Sequence, residues 1–259
     1  MTLAISTSEP VSLRLHLKSK QLTCADNNIL SINLTDTWNW KKRGNETGGL
    51  SINISQKNVT NPDTGTIVPS LIRGHMFHGP ANSTDIYRFG GTNYMYNQSF
   101  EGYTSPESST YPLWTYDPSD SSKPWGQHSI SQPWQPNHGA AAEAIDMGLG
   151  FYLNGQIDMG TSTKTLALQD TTQTLYTPLE GMLVINLVDF SSANISTSSM
   201  NKGTPRVGGT LDYIDAVGTS GILVALGGQI QPGLGGQVAN RSRGELVCET
   251  FQYATIVCC

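Results

Sequence analysis

Ile86-Tyr87-Arg88-Phe89-Gly90-Gly91 is a short apolar strand that runs into a glycine pair. The same order of parts returns twice, as Phe151-Tyr152-Leu153-Asn154-Gly155 and as Ile222-Leu223-Val224-Ala225-Leu226-Gly227-Gly228. From Gly91 to Gly155 is 64 residues and from Gly155 to Gly228 is 73, about one four-stranded sheet with long loops. A second marker, a strand ending in Asp or Asn, keeps the same rhythm: Leu30-Ser31-Ile32-Asn33, Trp114-Thr115-Tyr116-Asp117 and Leu183-Val184-Ile185-Asn186. Two independent markers in one phase indicate an all-β chain of repeated blades.

The openings of these units set the strand assignments. His78-Gly79, His138-Gly139 and Gly208-Gly209 are each expected to precede a short strand, a turn and a second strand ending on the glycine site. Residues 1–62 are expected to hold at most one strand pair, 28–34 and 49–54, and count as a partial first blade. A full blade spans 63–135, with strands near 74–78, 85–89, 111–117 and 125–131. A degenerate blade spans 136–205, with strands at 140–144, 150–153 and 181–187, and a partial last blade spans 206–259, with strands at 208–213 and 222–226. Gly90, Gly91, Gly155, Gly227 and Gly228 are read as structural, because the backbone bends where blades crowd and a Cβ would clash there. Tyr116 and Trp125 are expected to pack over that glycine corner.

Only 14% of the 259 residues are charged against 37% hydrophobic, with 27 Gly and 13 Pro, a balance that suits short strands joined by many turns. A net charge of -5 leaves no basic field for a phosphate backbone, so nucleic acid is not an expected partner. No run of 18 apolar residues occurs, so no helical membrane span is expected. Asn-x-Ser/Thr triplets stand at Asn33, Asn45, Asn53, Asn58, Asn82, Asn97, Asn194 and Asn240, about twice the chance number for this composition, and they point to the secretory pathway. Against that, the segment from Met1 to Pro10 has neither the basic nor the long apolar part of a signal peptide. Cys24 stands alone while Cys248, Cys258 and Cys259 crowd the other end, a spacing that fits no zinc site and leaves a Cys24 to Cys248 disulfide open.

Candidate chemistry is sparse. Of His16, His75, His78, His128 and His138, the pair His75 and His78 is three apart, which puts the two on opposite faces of a strand. Asp146, Asp158, Asp212 and Asp215 sit in or beside turns, where Asp caps backbone N–H groups. No carboxylates are paired for acid and base roles, and no nucleophile elbow, phosphate-cradling glycine loop or His-Glu-x-x-His occurs. Neither a cofactor, a metal nor an enzymatic activity is therefore expected. The long inserts 94–110 and 158–180 are where such a scaffold places recognition. Tyr94, Tyr96, Phe100 and Tyr103 supply amphipathic contacts for a protein or glycan partner, while a glycosylated loop carrying Asn97 is the other reading of that segment.

The Gly90-Gly91 pair followed by Tyr116 and Trp125 resembles the kelch repeat, and the resemblance covers about residues 28–245. With Arg73-Gly74-His75-Met76-Phe77-His78-Gly79-Pro80 ahead of the blade, the chain is similar to kelch proteins of filamentous fungi. That resemblance implies a β-propeller of four-stranded blades, of which about three and a half are present in an unclosed array. It further implies a non-catalytic binding module at the cell surface or in the secretory pathway, with a leader and an anchor outside this chain. Kelch propellers also resemble galactose-oxidase-type copper radical enzymes, but their Cys beside a redox Tyr is not matched within the blades, and no Tyr-His dipeptide occurs. Two further departures stand out. Asn154-Gly155 replaces a glycine pair with no Trp after Asn186, and neither an opening strand before Asn28 nor an Asp-then-Trp closing strand after Glu245 is recognised. On this reading the chain is a fragment with open sheet edges that is prone to aggregate, and a fragment without function is the alternative to the binding module.

Overall fold

A computed structural model of the chain describes residues 2–6, 28–33, 52–56, 71–92, 113–131, 135–161, 176–228 and 255–258, apart from 121, 159 and 202–204, with isolated positions at 39, 42, 49, 61 and 68. The described residues are almost wholly β, in consecutive antiparallel sheets. The first sheet pairs β1 (Thr2–Ser6), β2 (Asn28–Asn33) and β3 (Ile52–Gln56) in chain order. The second is a four-stranded meander of β4 (His75–His78), β5 (Ile86–Phe89), β6 (Leu113–Tyr116) and β7 (Gly126–His128).

The third sheet has the same plan, with one interruption. β8 (Ala140–Ala144) and β9 (Leu149–Leu153) are followed by a separate ladder of β10 (Gln156–Asp158) and β11 (Tyr176–Pro178), after which β12 (Met182–Asn186) and β13 (Ser192–Ile195) complete the meander. The last sheet pairs β14 (Thr210–Ile214), β15 (Ile222–Leu226) and β16 (Thr255–Cys258). Helical structure is limited to a 3-10 turn at Ile145–Met147 and a single turn at Ser198–Asn201.

The second, third and fourth sheets stack face to face, as the period-2 alternation of their strands allows. Phe77, Tyr87, Phe89, Leu113 and Ile130 of the second sheet meet Tyr152, Leu183, Ile185 and Leu187 of the third. The Phe89 and Tyr152 rings meet edge to face at 5.2 Å. The opposite face of the third sheet, with Ala140, Ala142, Ala144, Phe151, Leu153 and Met182, takes Leu211 and Leu223 of the fourth. Each fully buried Phe or Leu here contributes about 1.5–3 kcal/mol. β8 lies against both β4 and β14, so the first strands of the second, third and fourth sheets are their innermost ones. The buried alanines of β8 are small enough for sheets to converge there. Consecutive meanders stacked around a common line of inner strands make the fold propeller-like.

Several sequence expectations are corrected. The first 62 residues hold three strands, because β1 pairs with β2 from Thr2 opposite Asn33 to Ser6 opposite Ile29. An opening strand therefore does precede Asn28. β16 closes onto β15 through Ile222 opposite Cys258 without any Asp or Trp marker. β13 escaped notice because Ala193, Asn194 and Ile195 are exposed on an outer strand and carry no apolar alternation. The insert 158–180 begins and ends in the β10–β11 ladder. His78-Gly79 is the end of β4, and the residue matching His138 is Arg73.

Candidate functional site

The inner strands start on residues with the same unusual backbone. Arg73, His138 and Gly208 have left-handed φ of +63°, +55° and +72°, each followed by a glycine. The His138 N–H donates to the Arg73 carbonyl at 3.2 Å, and the Gly208 N–H donates to the His138 carbonyl at 2.5 Å. A continuous backbone chain thus runs from sheet to sheet around the inner line. Holding Arg or His in this region costs about 1–2 kcal/mol, which the surrounding bonds must offset.

Beside this line lies a buried polar group. The His138 Nδ1 donates to Asn137 Oδ1 at 2.7 Å, and Asn137 Nδ2 donates to Asp158 Oδ2 at 3.1 Å. Asp158 Oδ1 accepts from the Thr92 hydroxyl at 2.5 Å and from the Gly160 N–H at 2.9 Å. Asn137, Thr92 and Asp158 are all buried. Burial raises the Asp158 carboxyl above its ordinary range, opposed by these bonds and by the Arg73 charge. His138 is pushed down to about 4, first by burial and then by Arg73. The sequence reading of Asp158 as a turn cap accounts for the Gly160 bond alone. Nothing local could reveal the other partners, since Thr92 is 66 residues away.

The glycine sites explain how one sheet hands over to the next. Gly91 donates its N–H to Pro136 O at 2.9 Å, at the start of the following sheet. In the third sheet Asn154 stands where Gly90 stands in the second, with φ +52° against +70°. Its Nδ2 donates to Arg206 O at 3.1 Å, and its Oδ1 accepts from the Thr197 hydroxyl at 3.1 Å. Asparagine tolerates the left-handed region, so this departure from the glycine pair keeps the backbone and adds a side-chain link. Gly155, Gly227 and Gly228 are also left-handed, at +102°, +75° and +76°. Tyr116 and Trp125 do meet, at 5.2 Å between rings, but in a cluster with Val68 and Trp114. A Cβ on Gly90 or Gly91 would instead meet Pro136, Leu71, Ile72 or Gly74.

Other expected site residues are placed unevenly. Tyr94, Tyr96, Phe100 and Tyr103 lie outside the described residues, as do Asn45, Asn58, Asn97 and Asn240. Asn33 and Asn53 fall in β2 and β3, whereas Asn82 and Asn194 are exposed on a turn and on β13. Among the described residues no three His, Cys, Asp or Glu side chains converge as a metal site would need. The cleft lined by Pro136, Tyr152, Asn154, Gly181, Leu183 and Asn194 holds about 20 Å³, room for about one water. No helix among the described residues is long and apolar enough to cross a membrane.

Fold and polar inner line together define an all-β, propeller-like protein whose inner strands all begin at one end. No protein family and no curated protein matches the chain. Among solved structures it is similar to one titled "Structure of YjhT", at 13% identity and a TM-score of 0.41, over 78% of this chain and 56% of that one. The chain therefore spans little more than half the length of that structure.

Proposed function

We propose that this chain is a non-catalytic, kelch-type binding module that meets a protein or glycan partner at the cell surface or in the secretory pathway. The observation that carries the reading is where the long connections leave the scaffold. In every sheet the link from the second strand to the third is long, from β2 to β3, β5 to β6, β9 to β12 and β15 to β16, and in the first sheet the β1–β2 link at the other end is long as well. In an up-and-down meander the second-to-third links share one end. The first-to-second and third-to-fourth links of the second and third sheets, by contrast, are short. Arg73, His138 and the Thr92–Asp158 link lie at the long-connection end, because each inner strand starts where its neighbour finishes.

The polar group there favours binding over catalysis. A general base works best with a pKa near the working pH, and His138 at about 4 is far below it. With its Nδ1–H given to Asn137, neutral His138 keeps Nε2 as an acceptor for a hydroxyl, while the Arg73 guanidinium donates to hydroxyl or carbonyl oxygens. Replacing 94–110 by a short Gly-Ser linker is expected to abolish partner recovery in a pull-down, or glycan-array binding, while the unfolding midpoint stays nearly constant. Unaltered recovery would place the site elsewhere. Alcohol oxidation on addition of copper would instead move the protein to the copper-radical class.

A further inference from the structure

In the second, third and fourth sheets, the end opposite the second-to-third connections carries apolar side chains in water. Ile145 and Met147 on the 3-10 turn are 40% and 46% exposed, Val188 on the β12–β13 turn is 66% exposed, and Val217 on the β14–β15 turn is 44% exposed. These turns adjoin one another. A Cβ on Gly148 would touch Val188 at 3.0 Å and Pro80 at 3.5 Å, and the Tyr213 hydroxyl reaches Met147 Sδ at 3.7 Å. A contiguous exposed apolar patch on a protein surface ordinarily has a cover.

One exposed acceptor of the right kind stands beside it. The β4–β5 turn is fixed by Gly79 N–H to Asp85 O at 2.8 Å and Ser83 N–H to Pro80 O at 2.8 Å. The Ala81 N–H donates to Ile145 O at 3.2 Å, which ties this turn to the apolar one. Asn82 sits at its tip, exposed, with φ +72°, and its amide makes no hydrogen bond among the described residues. Asn82-Ser83-Thr84 is an N-glycosylation triplet with no proline in the middle position. Asn194, on β13, instead lies so close to Gly181 that a Cβ there would collide with its side chain.

We infer that Asn82 carries an N-linked glycan whose sugar rings lie over Ile145, Met147 and Val188, shielding that end of the sheets and leaving recognition to the other. A glycan is bulky and solubilising, and the apolar faces of its rings suit such a patch. The inference rests on passage through the secretory pathway, so the test supplies a leader from another protein and makes occupancy independent of native location. Trypsin cleaves after Arg73 and Arg88, so peptide 74–88 isolates this triplet from the other seven.

In chain secreted from a glycosylating host, peptide 74–88 is expected to carry glycan, with Asn82 converted to Asp on enzymatic release. Asn82→Gln and Thr84→Ala should each raise binding of an apolar dye several-fold and promote self-association, while Thr84→Ser should behave as the parent. Should the variants fail to be secreted, enzymatic deglycosylation of the folded parent makes the same comparison. An unmodified peptide 74–88 in folded, secreted chain would overturn the assignment. Equal dye binding with and without the glycan would overturn the covering role, and self-association of the fully glycosylated chain through this end would show that a second copy is the cover.

Discussion

The Thr92 hydroxyl donates to an Asp158 carboxyl oxygen at 2.5 Å, across the junction of the second and third sheets. Thr92 stands at the root of the connection to β6, and Asp158 stands at the end of β10, where the β10–β11 connection departs. The two long inserts therefore begin from one shared bond. Asn137 and Gly160 complete the carboxyl's partners, so this root is held by side chains and backbone from both sheets.

Two buried groups give stability opposite pH dependences. His75 is pushed down to about 4 by burial, whereas the unfolded chain protonates it near 6.5. Its contribution is complete above pH 6.5 and is lost as pH falls to about 4, at most about 3 kcal/mol. Asp158 is raised by burial, so its contribution is complete below the ordinary carboxylate pKa and is lost as pH rises through the folded value. Unfolding midpoints measured from pH 4 to 8 should flatten on the acid side in His75→Gln. In Asp158→Asn the loss on the alkaline side should disappear. Parallel curves for parent and variants would contradict both assignments.

Gly90 and Gly218 share a left-handed φ, +70° and +71°, but differ in surroundings. A Cβ on Gly90 would lie 2.3 Å from Pro136 O, whereas Gly218 has open space. Gly218→Ala should cost about 1 kcal/mol from backbone strain alone. Gly90→Ala should cost about 3 kcal/mol or more, since the next sheet must shift as well. Equal costs in urea unfolding would show that the sheet-to-sheet contact at Pro136 is not tight.

Asn154 serves both as a left-handed residue and as a cross-sheet link. Asn154→Ala loses the bonds to Arg206 and Thr197 and keeps the strain, for a cost of about 2–3 kcal/mol. Asn154→Gly loses the same bonds but relieves the strain, and should be about 1 kcal/mol milder. The ordering of the two unfolding free energies is the informative readout. Were alanine as stable as the parent, the Asn154 side chain would play no part in joining the sheets.

What could be read from the chain alone was what depends on near neighbours. The glycine sites after β5, β9 and β15 mark strand ends because a left-handed φ is a property of one residue. The buried alternation of Ala140, Ala142 and Ala144 follows from the two-residue pleat. Those local rules were enough for an all-β repeat. Strands without such marks, β1, β13 and β16, were invisible: β1 and β16 are defined by pairing with distant partners, and β13 is exposed at three of four positions. The polar group of Arg73, Asn137, His138 and Asp158 was likewise beyond reach, since Arg73 and His138 are 65 residues apart and meet only when successive sheets converge on their inner strands. Bringing such residues together takes the stacking of whole sheets, whose geometry is set by buried faces rather than by any local pattern.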